Sequence, residues 1–117
     1  MKRVSVSGLD ANIWGPTGPS VEKTLEAKSL ACFTKMPARP GVSVVVNFTL
    51  FADGRRENER ATGLCHAAQG DCYKYLETPP AVPANVIECV QAVVRVAALP
   101  PVSAGSRSAR IEFTPSW

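Results

Sequence analysis

The sequence predicts an α+β fold, a three-stranded antiparallel sheet with two helices packed on one of its faces and room for an extra N-terminal strand. Three observations predict it. Val42, Val44, Val46, Phe48 and Leu50 alternate with Ser43, Val45, Asn47, Thr49 and Phe51, and Asp53-Gly54 follows at once. That is a half-buried strand running into a hairpin turn, because Asp-Gly tolerates the positive φ such turns need. Val86 to Leu99 is a long apolar run broken by Pro100-Pro101, and Val21, Leu25, Cys32 and Met36 recur at helical spacing. Both read as helices.

Taken in chain order, Lys2 to Ile13 offers only the short alternation of Val4 and Val6, enough for a possible strand. Gly15-Pro16-Thr17-Gly18-Pro19 breaks the chain. Residues 1–19 are therefore an N-terminal arm or an extra strand, and 20–117 the domain proper. Ser20 is placed to cap the first helix, with Glu22 favourable to its dipole, and Pro37 and Pro40 stop it, so the helix is expected over 20–36. The strand over 42–51 pairs through the hairpin with a charged second strand over 55–62. Gly63 to Ala84 has no clean period and reads as a long loop. In the second helix, 86–99, only Glu88, Gln91 and Arg95 form a polar stripe, so the helix is expected to be covered on most sides. Ala109 to Thr114 alternates again as the last strand, closed by Pro115.

The 117 residues allow one domain, and 45 % apolar with 20 % charged residues is ordinary globular composition. Thirteen Lys and Arg against ten Asp and Glu give a net charge of +3. The densest cluster, Arg55-Arg56-Glu57-Asn58-Glu59-Arg60, nearly cancels itself. Nucleic acid needs an unopposed basic stripe, so it is not an expected partner. No run approaches the length of a membrane span. Val4-Ser5-Val6-Ser7-Gly8 is no apolar signal core, so an exported parent would carry its signal outside this chain, an excised domain with an added Met. Four cysteines, Cys32, Cys65, Cys72 and Cys89, suggest two disulfides with three possible pairings, and hence an oxidising compartment.

Chemistry-bearing motifs are sparse. His66 is the single histidine, beside Cys65 and near Asp71 and Cys72. Adjacent residues on an extended segment point apart, so Cys65 and His66 make a poor nucleophile–base pair. A metal site on Cys65, His66 and Cys72 lacks the short Cys-x-x-Cys pair, and a local disulfide is the better reading. His66 is expected to be dispensable. Glu57 and Glu59 read as solvated, and Tyr73 and Tyr75 as residues packing a loop. No phosphate loop or serine elbow occurs. The chain is thus read as no enzyme, with no cofactor.

Several local signatures resemble the TonB-type C-terminal domain, and most closely its myxobacterial branch named after AgmX and PglI. They are Cys32-Phe33 late in the first helix, Gly41-Val42-Ser43-Val44-Val45-Val46-Asn47-Phe48-Thr49-Leu50 with its Asp53-Gly54-Arg55 hairpin, Cys89 in the second helix, and Leu99-Pro100-Pro101 after it. The resemblance spans about residues 20–115 as an element order. It implies an extracytoplasmic, periplasmic adaptor at the end of a membrane-anchored envelope protein, of the kind used in energy transduction or gliding motility. Such a domain binds a protein partner by strand addition. By the same resemblance the last strand, with Arg110, Ile111, Glu112 and Phe113, is the expected free edge that takes the partner. Two helices antiparallel on one sheet would bring Cys32 and Cys89 together, leaving Cys65 to pair with Cys72. The alternative function is a small metal-binding or Cys-dependent module around Cys65, His66 and Cys72, and a third is a structural domain that only dimerises.

Overall fold

The computed structural model describes residues 3–66 and 82–117. In chain order it contains β1 (Arg3–Ser7), α1 (Ala11–Trp14), α2 (Gly18–Phe33), β2 (Val42–Phe51), β3 (Arg56–Cys65), α3 (Ala84–Val96) and β4 (Ser106–Ser116). The strands form one sheet in the order β1-β4-β2-β3, with every neighbouring pair antiparallel. This is the expected α+β class, with the N-terminal segment supplying a fourth strand.

Period two in β2 does what the sequence requires. Val42, Val44, Val46, Phe48 and Leu50 are buried in a single core with Leu25 and Phe33 of α2, Val86, Val90 and Val94 of α3, and Ile111 and Phe113 of β4. Both helices therefore cover the same face of the sheet. The helical expectations shift at several points. The first helix starts at Gly18, with Thr17 rather than Ser20 at its N-cap and Pro19 in the first turn. Proline suits that turn because the N–H it lacks would have no intrahelical partner. The helix ends at Phe33, three residues short of Met36. The second helix is less enclosed than its composition suggests: Val86, Val90 and Val94 are buried one turn apart, whereas Val96 is 78 % exposed. It stops at Val96 because Ala97 turns extended; the Val94 carbonyl accepts from Ala97 N–H, and Arg56 of β3 donates to the carbonyls of Val94 and Ala97. A cation there also meets the negative end of the helix dipole. Burial lowers the pKa of this guanidinium, and Glu59 partly offsets the effect.

The N-terminal arm decides the topology. Val4 and Val6 are buried, as are Leu9 and Trp14. That apolar burial holds β1 against the outer side of β4. Gly8 makes the turn away from the sheet: its φ is +117°, and a Cβ placed on it would lie 1.9 Å from the Arg110 carbonyl oxygen. Gly8→Ala is expected to cost about 2 kcal/mol, since both the backbone angle and the close approach exclude a side chain. Urea denaturation checks this, and an unchanged midpoint would show that the turn relaxes freely.

The expected free edge is overturned. β4 is an interior strand: Arg110 pairs with Asn47, Ile111 with Val46, Glu112 with both Val45 and Ser7, and Phe113 with both Val44 and Val6. The strand also runs through Pro115 instead of closing before it. Pro115 lies past Val44–Phe113, the last pair with β2, so its missing N–H costs no bond there.

Candidate functional site

The disulfide expected between the helices is present. Cys32 in the last turn of α2 and Cys89 early in α3 are bonded, with Cα atoms 5.6 Å apart. Cys65 ends β3, and Cys72, its expected partner, lies outside the described residues, as do Asp71, Tyr73 and Tyr75. The loop expected from Gly63 onward begins later: Gly63, Leu64 and Cys65 belong to β3, paired with Val44, Ser43 and Val42.

His66 is not an ordinary loop histidine. The register Val42–Cys65 and Val45–Glu112 carries three residues distant in sequence to one end of the helix-free sheet face. His66 Nε2 lies 2.7 Å from Glu112 Oε2 and 3.0 Å from Ser43 Oγ, and the Ser43 hydroxyl donates to the same Glu112 oxygen at 2.8 Å. Arg110 donates to the other carboxylate oxygen at 3.2 Å. The residue types are those of a serine–histidine–carboxylate triad, but the wiring differs. In a triad the carboxylate orients the imidazole through one ring nitrogen and the serine meets the other. Here one nitrogen faces both, so the carboxylate competes for the proton a base would take. Ser43 is also fully buried, which withholds its hydroxyl from a substrate. The cluster is built to satisfy polar groups that the sheet encloses.

Burial alone would push the Glu112 carboxyl upward. Hydrogen bonds from Ser43, His66 and Arg110, with the attraction of His66, outweigh burial and hold it below the usual carboxylate range. A depressed carboxyl pKa stabilises the fold above the unfolded-state value, and that contribution is lost as pH falls through the folded-state value. Glu112→Gln should therefore flatten the fall in stability between about pH 5 and the acid limit. Denaturation midpoints across that range read it directly, and an unchanged slope in the variant would assign the acid sensitivity to other carboxylates.

The outer strands differ sharply. The outer side of β1 faces α2, whose carboxylates occupy its backbone: Val6 N–H donates to Glu26 at 3.2 Å, and Leu9 N–H, just beyond the strand, to Glu22 at 3.0 Å. β3 pairs with β2 alone among the described residues. Its two halves are unlike. From Arg56 to Arg60 it is charged, and between Asn47 and Thr49 the register slips, leaving Asn58 and Glu59 opposite Phe48 alone. Asn58 sits at φ 57°, a left-handed conformation that Asn accepts more readily than most residues. Charge and a bulge are how native edges repel unwanted strands. From Ala61 to Leu64 the pairing is regular and no charge occurs.

Backbone direction on this second half follows from one bond. His66 N–H donates to the Gly41 carbonyl at 2.6 Å, toward β2. Alternation then turns the N–H groups of Leu64 and Thr62 toward β2 and those of Gly63 and Ala61 outward. Each outward residue presents an N–H and a C=O on the same side, the pattern an added strand engages. The sequence signal for this edge is the change from six charged or polar residues at 55–60 to Ala61-Thr62-Gly63-Leu64.

Comparison of the chain with protein-family models, curated proteins and solved structures finds no match.

Proposed function

We propose that this domain is a non-catalytic, extracytoplasmic interaction module that holds a partner envelope protein by adding an extended segment of it to β3. The observation that carries this reading is the outward pair of backbone donors and acceptors at Ala61 and Gly63, on a regular, uncharged stretch of an outer strand. The other outer strand is less available, because Glu26 occupies its Val6 donor. The Cys32–Cys89 bond supports an oxidising compartment. The TonB-like element order supports strand addition as the mode, although the strand that offers an edge is the second of the hairpin and not the last. Energy transduction or gliding motility is the setting that resemblance suggests.

The test places a photo-activated cross-linker at Thr62 or, separately, at Ser5, and exposes the folded protein to envelope extract. One partner should be captured from Thr62, with little from Ser5. Capture should disappear when Ala61→Pro removes the outward N–H. Equal capture from both positions, or capture that survives Ala61→Pro, would refute the assignment.

A further inference from the structure

Resting on that strand-addition reading, we infer that the segment β3 accepts is acidic on one side and apolar on the other, its carboxylates lying on the helix-free face opposite Arg60. The charges of this hairpin are nearly all committed. Arg55 pairs with Glu57 at 3.6 Å, Arg56 donates to carbonyls of Val94 and Ala97, and Glu59 pairs with Arg95 at 2.8 Å. Arg60 is exposed and has no ion pair among the described residues. It is also the residue immediately before the outward donor at Ala61. In an antiparallel addition, Ala61 and Gly63 become the hydrogen-bonded pairs, so Arg60 and Thr62 become the non-hydrogen-bonded ones. Side chains approach most closely at such pairs. A partner carboxylate opposite Arg60 therefore sits within ion-pair reach, whereas a partner lysine is repelled.

The other face asks for a different side chain. Ala61 and Gly63 point toward the helices and contribute almost no bulk. Above Gly63 lie Val82 and Ile87, and a Cβ added to Gly63 would lie 3.0 Å from Val82 and 3.6 Å from Ile87. Ile87 is only half-buried. Partner residues alternating toward this face extend past the small edge residues onto Ile87, where an apolar side chain removes its remaining exposed surface from water. Acidic and apolar residues in alternation thus match the two faces of one added strand.

The experiment uses three synthetic peptides with blocked ends and a soluble Gly-Ser tail. Each alternates Val with Glu, Gln or Lys over seven positions. They are titrated into the oxidised protein while the Ala61 and Gly63 amides are followed by NMR. The Glu peptide should bind about fivefold more tightly than the Gln peptide, and the Lys peptide most weakly. Arg60→Gln should erase the Glu-over-Gln preference without changing the Gln peptide's affinity. About 0.5 M salt should shrink it in the unaltered protein. Ala61→Pro should abolish binding of all three, and N-methylation of the Glu peptide on its edge-facing side gives the same control without touching the fold. Equal binding of the three peptides, lost in Ala61→Pro, would overturn the acidic assignment and leave strand addition standing. No binding by any of them would overturn both.

Discussion

A protein carrying Cys32→Ser and Cys89→Ser is expected to lose about 4 kcal/mol of stability, on the chain-entropy account of a cross-link. The bond joins residues 57 apart, so without it the unfolded chain regains the freedom of a loop containing β2, β3 and everything between the two helices. Cys32 is also part of the buried core, and a serine hydroxyl there would need a partner that the apolar surroundings do not offer. For a domain whose whole stability is on the order of 5–15 kcal/mol, this is a large share. Thermal melting should fall by roughly 15 °C, and a thiol reductant, which opens the bond at Cys65 as well, should also lower the melting of the unaltered protein. A variant that melts with the oxidised protein would show that the helix pair is held by packing alone. Loss under reductant would also tie the domain's working life to an oxidising compartment, as the proposed extracytoplasmic role requires.

How much of this was legible in the sequence depends on the distance over which each signal acts. β2 and its turn were legible to the residue: five apolar positions at period two, then Asp53 accepting from Arg55 N–H at 2.9 Å and Gly54 at φ 88°. The helices were legible as elements and imprecise at their ends. What fixes those ends is tertiary: the Leu9 carbonyl against Gly18, and Arg56 on the last carbonyls of α3. The Cys32–Cys89 pair followed from placing two helices on one face. The position of β4 did not follow, because Val4 and Val6 alone are too short a pattern to outrank a resemblance that makes the last strand an edge. Burial of Leu9 and Trp14, which anchors that arm, shows no period at all.

The candidate site was the least legible part. Ser43, His66 and Glu112 each look ordinary: a polar alternate in a strand, a loop histidine and an edge guard. Only the two registers flanking β2 bring them within 3.0 Å of one another. The edge at Ala61–Leu64 was hidden for a simpler reason. The strand is expected to stop at Thr62, and Gly63-Leu64-Cys65 read as the start of a loop, when they are the continuation of β3.

Glu112→Pro is expected to unfold the domain or cost it about 4 kcal/mol or more, whereas Ala61→Pro leaves it folded. The two positions differ in where the lost N–H points. Ile111 and Phe113 bond toward β2, as the outward turn of Ala61 and Gly63 on the far side of β2 requires by alternation. Glu112 therefore bonds toward β1, where Ser7 is its partner. Proline at 112 removes that donor from an interior strand and orphans the Ser7 carbonyl. It also removes the carboxylate that accepts from Ser43 and His66, leaving the buried Ser43 with His66 Nε2 as its remaining side-chain partner. Each enclosed polar group left unpaired costs about 1–3 kcal/mol. Glu112→Gln separates the two effects, since it keeps the backbone donor and loses only the charge. Circular dichroism and urea denaturation on the three variants should rank them Ala61→Pro, Glu112→Gln, Glu112→Pro in increasing loss. A folded Glu112→Pro protein with near-native stability would sink the interior placement of β4 and return the free edge to the last strand.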